Sequence, residues 1–323
     1  MYILSALIVI ITIWMEFRRD FFMSKKITLG IISFCLIILG ALFYFHHQQV
    51  TDAKQPPIRV ATSLNFYGEV ASAVAGKHGQ VTSIINSEAT DPHDFKATTK
   101  EAKEVSQANV IIENGLGYDG WLTKLVKSAG KEKQQIVVGT TVAKKKMGAN
   151  EHVWYQPQTM AKLADVLAQR FGQLDPAHKA EFKQNAQAYQ KKLNKLDKVI
   201  QASKQKVKAN NSRVDVSEPV FNYALANLGY QINNHHFAKA IEDGTDPSPK
   251  DIQEMKADMQ NHRITFFVNN PQESSPVIKN LLKTAKENDI PVLNVTETKP
   301  DGKTYVQWML DQYQALAMIQ EEQ

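Results

Sequence analysis

The stretch Pro176–Lys208, PAHKAEFKQNAQAYQKKLNKLDKVIQASKQKVK, decides the architecture of this chain. Apolar residues recur in it at steps of three and four, which is the spacing of one face of an α-helix. They are Phe182, Ala186, Tyr189, Leu193, Leu196, Ile200 and Val207. No residue inside the stretch breaks a helix, and a rise of 1.5 Å per residue predicts a rod of roughly 45–50 Å. Such a rod can lie along two lobes, and it is too stiff to act as a flexible linker.

On the N-terminal side of this rod, short apolar runs alternate with amphipathic segments. The predicted strands are Ile58–Leu64, Val81–Ile85, Asn109–Glu113 and Ile136–Thr140, and the predicted helices include Phe66–Ala75 and Thr98–Gln107. Strands that alternate with helices are typical of parallel βαβ units and a doubly wound sheet.

The same alternation restarts on the C-terminal side. Predicted strands are Val214–Ser217, Ile264–Asn269 and Val292–Val295, and predicted helices are Pro219–Leu228, Pro249–Met259 and Pro276–Asn288. We therefore predict an α/β fold of two doubly wound, Rossmann-like lobes joined by a long rigid α-helix. The predicted boundaries are residues 58–175 for the N-terminal lobe, 176–208 for the linking helix and 209–323 for the C-terminal lobe.

Residues 1–57 are predicted to be a signal or membrane anchor followed by a tether. Ile27–Phe45 runs for about 19 residues without a charge and follows Lys25 and Lys26. This length spans a bilayer core, and the lysines lie on the side that stays in the cytoplasm. The polar stretch from His46 to Pro57 ends in Pro-Pro, which is typical of a tether.

A shorter apolar run, Tyr2–Met15, precedes this segment, so translation begins either at Met1 or at Met23. The single cysteine, Cys35, follows Phe34 and precedes further apolar residues. A lipidated cysteine follows small residues, so this context favours an uncleaved anchor or a cleaved signal over lipidation. One cysteine also excludes disulfides within the chain and thiolate zinc sites.

The distribution of charge along the chain bears on whether nucleic acid is a partner. The net charge is +5, but the lysines are spread along the chain, and no basic patch interleaved with aromatic residues is present. The sequence therefore predicts no nucleic-acid binding. Mild basicity is compatible with a position beside an anionic membrane surface.

Four side chains follow predicted strands and have the chemistry of metal ligands: His93, His152, Glu218 and Glu297. In open α/β sheets, ligands bind at the carboxyl ends of the strands, so two residues from each lobe are expected to converge there. Two imidazoles and two carboxylates suit a divalent transition ion, and a closed set of this kind holds an ion rather than activating water. Taken singly, such a histidine is more often a surface or hydrogen-bonding residue than a ligand, and such a glutamate is more often a partner at a helix N-terminus.

Six motifs in order along the chain resemble the zinc/manganese solute-binding proteins of ABC importers, and the likeness covers nearly everything from Ile58 to the C-terminus. The motifs are Thr90–Phe95, Asn114–Leu122, His152–Pro157, Ser217–Tyr223, Asp246–Ile252 and Thr296–Met309. The resemblance implies that His93 and His152 are the two histidine ligands of the N-terminal lobe. It implies that Glu218 is the third ligand, which is histidine in many zinc members and glutamate in many manganese members. Glu297 matches a terminal acidic ligand that is commonly aspartate, so its longer side chain is a departure.

The resemblance implies an extracytoplasmic, membrane-attached receptor that captures one Zn²⁺ or Mn²⁺ and delivers it to an ABC permease with its ATPase subunits. It implies a monomer and no enzymatic activity. The region Lys127–Asn150 has no histidine-rich loop of the zinc type, which together with Glu218 favours manganese. The Irving–Williams order favours zinc, so the choice of metal stays open.

Two other functions use the same residues. A metallohydrolase keeps an open coordination position, but the chain has neither a His-Glu-x-x-His nor a Gly-x-Ser-x-Gly motif. A surface adhesin would use the lobes as a scaffold and is compatible with metal transport. Three further histidines, His78, His178 and His262, lie in polar contexts typical of surface residues.

Overall fold

The computed structural model describes residues 36–38, 40, 57–93 and 95–322. The chain divides into two compact units, Met1–Pro56 and Pro57–Gln323. In the first unit, residues 36–38 and 40 are helical. The rest of the predicted membrane segment Ile27–Phe45, together with Tyr2–Met15 and Cys35, lies outside the described residues. Within the described part of the chain, no helix combines the length and apolarity needed to cross a bilayer.

The first half of the second unit contains a parallel sheet of four strands in the order β2-β1-β3-β4. These strands are β1 (Ile58–Leu64), β2 (Gly79–Ile85), β3 (Val110–Glu113) and β4 (Gln135–Val137). The helices of this half are α1 (Asn65–Ala75), α2 (Thr99–Gln107), α3 (Gly120–Ser128) and α4 (Thr159–Leu174). Because all four strands are parallel, their carboxyl ends meet at one edge of the sheet.

The second half repeats this arrangement with a parallel sheet in the order β6-β5-β7-β8. Its strands are β5 (Arg213–Val216), β6 (Gln231–Ile232), β7 (Phe267–Asn269) and β8 (Val292–Asn294). The linking helix is α5, and the helices of the second half are α6 (Asn222–Leu228), α7 (His235–Glu242), α8 (Pro249–Gln260), α9 (Pro276–Glu287) and α10 (Tyr305–Glu321).

The predicted α/β fold is confirmed, and a strand is present at each of the seven predicted places. The strand predicted over Ile136–Thr140 ends at Val137 and continues as a π-helical turn, Val138–Val142. Gly139 in this turn lies so close to Leu116 that a Cβ atom would come within 2.6 Å of its side chain. The periodicity also does not predict β6, because two residues are too few to show a period.

The linking helix α5 runs from Lys179 to Lys206, 28 residues, which is roughly 42 Å at the helical rise. It is shorter than the predicted stretch because Pro176–His178 forms a 3₁₀ turn and the helix ends before Val207. Its buried face carries the predicted stripe, namely Phe182, Ala186, Tyr189, Leu193, Leu196 and Ile200. The helix packs against α1 and α4 of the first half and against α6 and α10 of the second.

The largest buried apolar cluster runs through both halves and the linking helix. It contains Phe66 and Trp154 from the first half, Leu193 from the helix, and Phe221 and Trp308 from the second half. Residues 57–323 therefore form one compact unit rather than two independent ones. The division at residues 175 and 208 stays a prediction.

Candidate metal centre

Four side chains converge where the carboxyl ends of the two sheets face each other. Glu297 Oε1 lies 3.5 Å from His93 Nε2 and 3.7 Å from His152 Nε2. Glu242 Oε1 lies 3.8 Å from each of the same two nitrogen atoms. Three of these four atoms, His152 Nε2, Glu242 Oε1 and Glu297 Oε1, are buried and have no hydrogen-bond partner among the described residues. Such atoms are uncommon in folded proteins, and a bound water or ion is one of the partners that satisfies them.

His152 is held in one orientation by Asn150. Its backbone N–H donates to Asn150 Oδ1 at 2.8 Å, and its ring Nδ1 donates to the same oxygen at 3.0 Å. An amide oxygen only accepts, so the proton sits on Nδ1 and the lone pair of Nε2 faces the cluster. Asn150 is itself fixed, because its Nδ2 donates to the carbonyl of Pro219 at 2.6 Å and its carbonyl accepts from the Tyr223 hydroxyl at 2.8 Å.

We expect Asn150→Ala to weaken metal affinity by roughly 10- to 100-fold, because His152 loses the acceptor that fixes its tautomer. Asn150→Asp keeps an oxygen at that position but cannot donate to the Pro219 carbonyl, so it separates the acceptor role of this amide from its donor role. Affinity is measured by chelator competition on the metal-free, full-length protein, with circular dichroism as the test of folding. An Asn150→Ala affinity equal to that of the wild type contradicts this role.

His93 lies in the connection that follows β2 and is the most accessible of the four side chains, with 34% of its side chain exposed. Its backbone N–H donates to Asp91 Oδ1 at 2.8 Å. Its ring packs edge-on against Tyr118, with 4.7 Å between the ring centroids. These two contacts aim Nε2 at Glu297 and leave one face of the imidazole open to solvent.

Glu297 follows β8 and is positioned through its backbone. Its N–H donates to Gln272 Oε1 at 2.8 Å, and Gln272 Nε2 donates to the carbonyl of Glu88 at 2.9 Å. Glu88 belongs to the first half of the unit, so Gln272 connects the loop of Glu297 to the opposite side of the cleft. The adjacent Thr298 hydroxyl also donates to the Glu88 carbonyl, at 3.0 Å.

The structure brings together three of the four predicted ligands, His93, His152 and Glu297, and it places Glu218 differently. Glu218 lines the same cavity, but its Oε2 accepts from Asn270 Nδ2 at 2.8 Å. Within the described part of the chain, no ion pair joins it to either imidazole. Burial raises the pKa of Glu218 to about 8, with Asn270 lowering it and nearby Glu297 raising it.

Glu242 occupies the position opposite Glu297, and the sequence does not predict it. It is the last residue of α7, a full helix away from the end of any strand, so the rule that ligands follow strands does not find it. The strand before α7 is β6, which has two residues and leaves no periodic signal. Glu242 is nevertheless among the more buried acidic side chains of the cavity, with 6% of it exposed.

The cavity that contains these residues is strongly acidic, although the whole chain is basic. Among the described residues that line it, none is lysine or arginine and seven are acidic: Glu88, Asp91, Glu218, Glu242, Asp243, Glu273 and Glu297. A cleft lined by one sign of charge concentrates counter-ions and speeds their capture. The cavity therefore attracts cations.

The two carboxyl groups that face the imidazoles have pKa values shifted in opposite directions. Burial raises the pKa of Glu297, but the imidazoles of His152 and His93 outweigh burial and bring it well below its ordinary value. Burial lowers the pKa of His93, but Glu297 outweighs burial and brings it above the ordinary value. Burial raises the pKa of Glu242, and the carboxyl of Glu151 raises it further. Glu297 is therefore the more readily ionised of the two carboxyl groups that face the imidazoles.

A second group of side chains has metal-ligand chemistry, but its atoms, apart from the buried Asp175 Oδ1, already have partners. His78, Asp175 and His178 each offer a ligand atom within 4.8 Å of the others. His78 Nε2 bonds Glu181 Oε2 at 2.9 Å, His178 Nδ1 bonds Asp175 Oδ2 at 2.6 Å, and the two rings stack at 3.7 Å. The prediction that His78 is a surface residue is wrong, since only 12% of its side chain is exposed. This group ties the start of the linking helix to the turn before β2.

Comparisons with known proteins identify the family of the chain. Residues 60–319 match the family described as ZnuA, zinc-uptake complex component A, periplasmic. The chain is 28% identical over 285 residues to the metal ABC transporter substrate-binding lipoprotein SloC of Streptococcus mutans, covering 83% of this chain and 88% of that protein. It is 23% identical over 265 residues to the manganese-binding lipoprotein MntA of Bacillus subtilis, covering 80% and 85% respectively.

A solved structure shows the same fold. The periplasmic zinc binding protein TroA from Treponema pallidum superposes with a TM-score of 0.67 at 17% identity, covering 81% of this chain and 98% of that one. The comparisons give no support to the metallohydrolase alternative and do not favour the adhesin. The chain belongs to the ZnuA family of periplasmic zinc-uptake components, and it is a substrate-binding protein for metal import rather than an enzyme.

Proposed function

We propose that this chain captures one Zn²⁺ or Mn²⁺ ion between its two halves, with His93, His152, Glu218 and Glu297 as ligands, and delivers the ion to the permease of an ABC importer. The observation that supports this proposal best is the group of buried donor atoms without hydrogen-bond partners, His152 Nε2, Glu242 Oε1 and Glu297 Oε1. Two of them are predicted ligands. An ion at their centre satisfies all three at once.

The donor set suits both metals. Imidazole nitrogen suits zinc, whereas carboxylate oxygen suits manganese, and the Irving–Williams order gives zinc the higher intrinsic affinity. Related proteins carry both descriptions, since MntA is named as manganese-binding and AdcA of Streptococcus pyogenes as zinc-binding. The carboxylate-rich wall of the cavity favours manganese, which accepts more oxygen ligands than zinc.

Attachment and partners form part of the same proposal. We place the chain on the extracytoplasmic face of a membrane, held by its N-terminal apolar segment as an uncleaved anchor or exported by it as a cleaved signal. Several relatives are named as lipoproteins, which is compatible with membrane attachment. The metal-loaded protein acts as a monomer on a permease with its ATPase subunits, and nucleic acid is not a partner.

The test is a metal titration of the full-length protein after it has been freed of metal by chelation and dialysis. Zinc and manganese are added separately and then in competition, and bound metal is counted by elemental mass spectrometry. We expect one tightly bound ion per chain. Absence of stoichiometric binding of both ions contradicts the proposed function.

A further inference from the structure

We propose that Glu242 is a direct ligand of the captured ion, a third carboxylate beside Glu297 and Glu218, and that it favours manganese relative to zinc. This inference rests on the proposed function. Neither the strand-end pattern nor the resemblance assigns a role to this residue, and its placement in the fold carries the proposal.

The Glu242 carboxylate lies about as close to the two imidazoles as the Glu297 carboxylate does. Glu242 Oε1 lies 3.8 Å from both His93 Nε2 and His152 Nε2, nearly the same as the 3.5 and 3.7 Å of Glu297 Oε1. Ligand bonds of about 2.0–2.1 Å in a tetrahedral zinc site place neighbouring donor atoms about 3.3–3.4 Å apart. Each of the four carboxylate–imidazole distances lies within about half an ångström of this separation, so each pair is close enough to share one ion.

One oxygen of the Glu242 carboxyl is buried without a hydrogen-bond partner in the described part of the chain, although the neighbouring Glu151 carboxyl lies within hydrogen-bonding reach of the group. A buried polar atom normally has a hydrogen-bond partner, and contacts of 3.8 Å are too long to count as one. Glu242 Oε1 has no such partner among the described residues. The lysine on the same helix does not serve, because Lys239 Nζ pairs with Asp243 instead. A cation between Glu242 and the imidazoles supplies the missing partner.

Glu218 is the third ligand that the resemblance implies. Asn270 holds Glu218 Oε2 at 2.8 Å, whereas Glu242 already faces both imidazoles. If both carboxylates bind, the ion has at least five protein donors, three of them carboxylate groups. Structural zinc sites are satisfied by four donors in a tetrahedron, whereas manganese accepts an octahedral, oxygen-rich sphere. The additional carboxylate therefore benefits manganese more than zinc.

The experiment compares Glu242→Gln and Glu242→Ala with the wild type, and Glu287→Gln is the matched control. Glu287 ends α9, is 59% exposed and is not among the residues that line the cavity. Dissociation constants for Mn²⁺ and Zn²⁺ are measured by chelator competition on the full-length protein, and the absorption intensity of bound Co²⁺ reports the coordination number. Thermal unfolding of each metal-free variant verifies that it is folded.

We expect both Glu242 variants to lose at least about tenfold in manganese affinity, in the range seen when metal-site partners are removed. The loss in zinc affinity should be smaller, and the Glu287→Gln affinities should be unchanged. Manganese binding by Glu242→Ala that equals wild-type binding overturns the proposal, while the proposed function stands as long as the wild type binds one ion. Equal losses for both metals overturn the assigned preference for manganese.

Discussion

We expect His152→Ala to lose at least about 100-fold in affinity for the captured ion, more than the loss from removing a residue that only orients a ligand. The imidazole is fully buried, its Nδ1 is committed to Asn150, and its Nε2 has no partner among the described residues. No other group in the cluster can replace this nitrogen. The measurement is chelator competition with zinc and with manganese on the metal-free, full-length protein.

Two further variants separate loss of the ligand from loss of the fold. His152→Gln fills most of the same volume without an imidazole and should bind as weakly as His152→Ala. His236→Ala removes an exposed histidine of α7 and should bind like the wild type. If His152→Ala and His152→Gln are both folded and both keep stoichiometric binding of wild-type affinity, His152 is not a ligand.

Most of the fold could be predicted because the elements that carry it have clear periods. The linking helix shows six buried apolar residues at helical spacing, and β1 is buried on both faces except at Arg59, as expected of a parallel strand. The prediction fails where tertiary contact decides the backbone. At Gly139, close approach to Leu116 and a hydrogen bond from its N–H to the Asn114 carbonyl turn the chain out of β4 into a π-helical turn.

The residues of the candidate site that could be predicted are those that follow strands in the sequence. His93, His152 and Glu297 follow strands or the turns after them, and the parallel sheets bring those ends together. Glu242 reaches the cluster from the end of a helix, which depends on how α7 packs and has no signature in local sequence. The orientation of Glu218 depends on Asn270, 52 residues away, so the sequence shows its position in the chain but not its hydrogen bond.

The aromatic cluster beneath the site joins the two halves of the unit. Trp308 on α10 lies 5.6 Å, between ring centroids, from both Phe66 and Tyr155 of the first half. Its Nε1 donates to Thr296 Oγ1 at 2.7 Å, next to Glu297. The Tyr305 hydroxyl, on the same helix, donates to the carbonyl of Trp154 at 2.6 Å. The C-terminal helix therefore contributes both to the shared core and to the loop that carries Glu297.

We expect Trp308→Ala to lower the free energy of unfolding by about 3–5 kcal/mol, the usual cost of removing a buried tryptophan. Trp308 is 2% exposed, so its removal leaves a cavity and an unpaired Thr296 hydroxyl. The measurement is urea denaturation of the metal-free protein, because a bound ion adds its own stabilisation. Met318→Ala on the same helix is the control; its side chain is 62% exposed, and the change should stay within about 0.5 kcal/mol. Because the core is continuous across both halves, the loss should appear as a shift of one transition. A first transition that moves while a second stays in place would show that the two halves unfold independently.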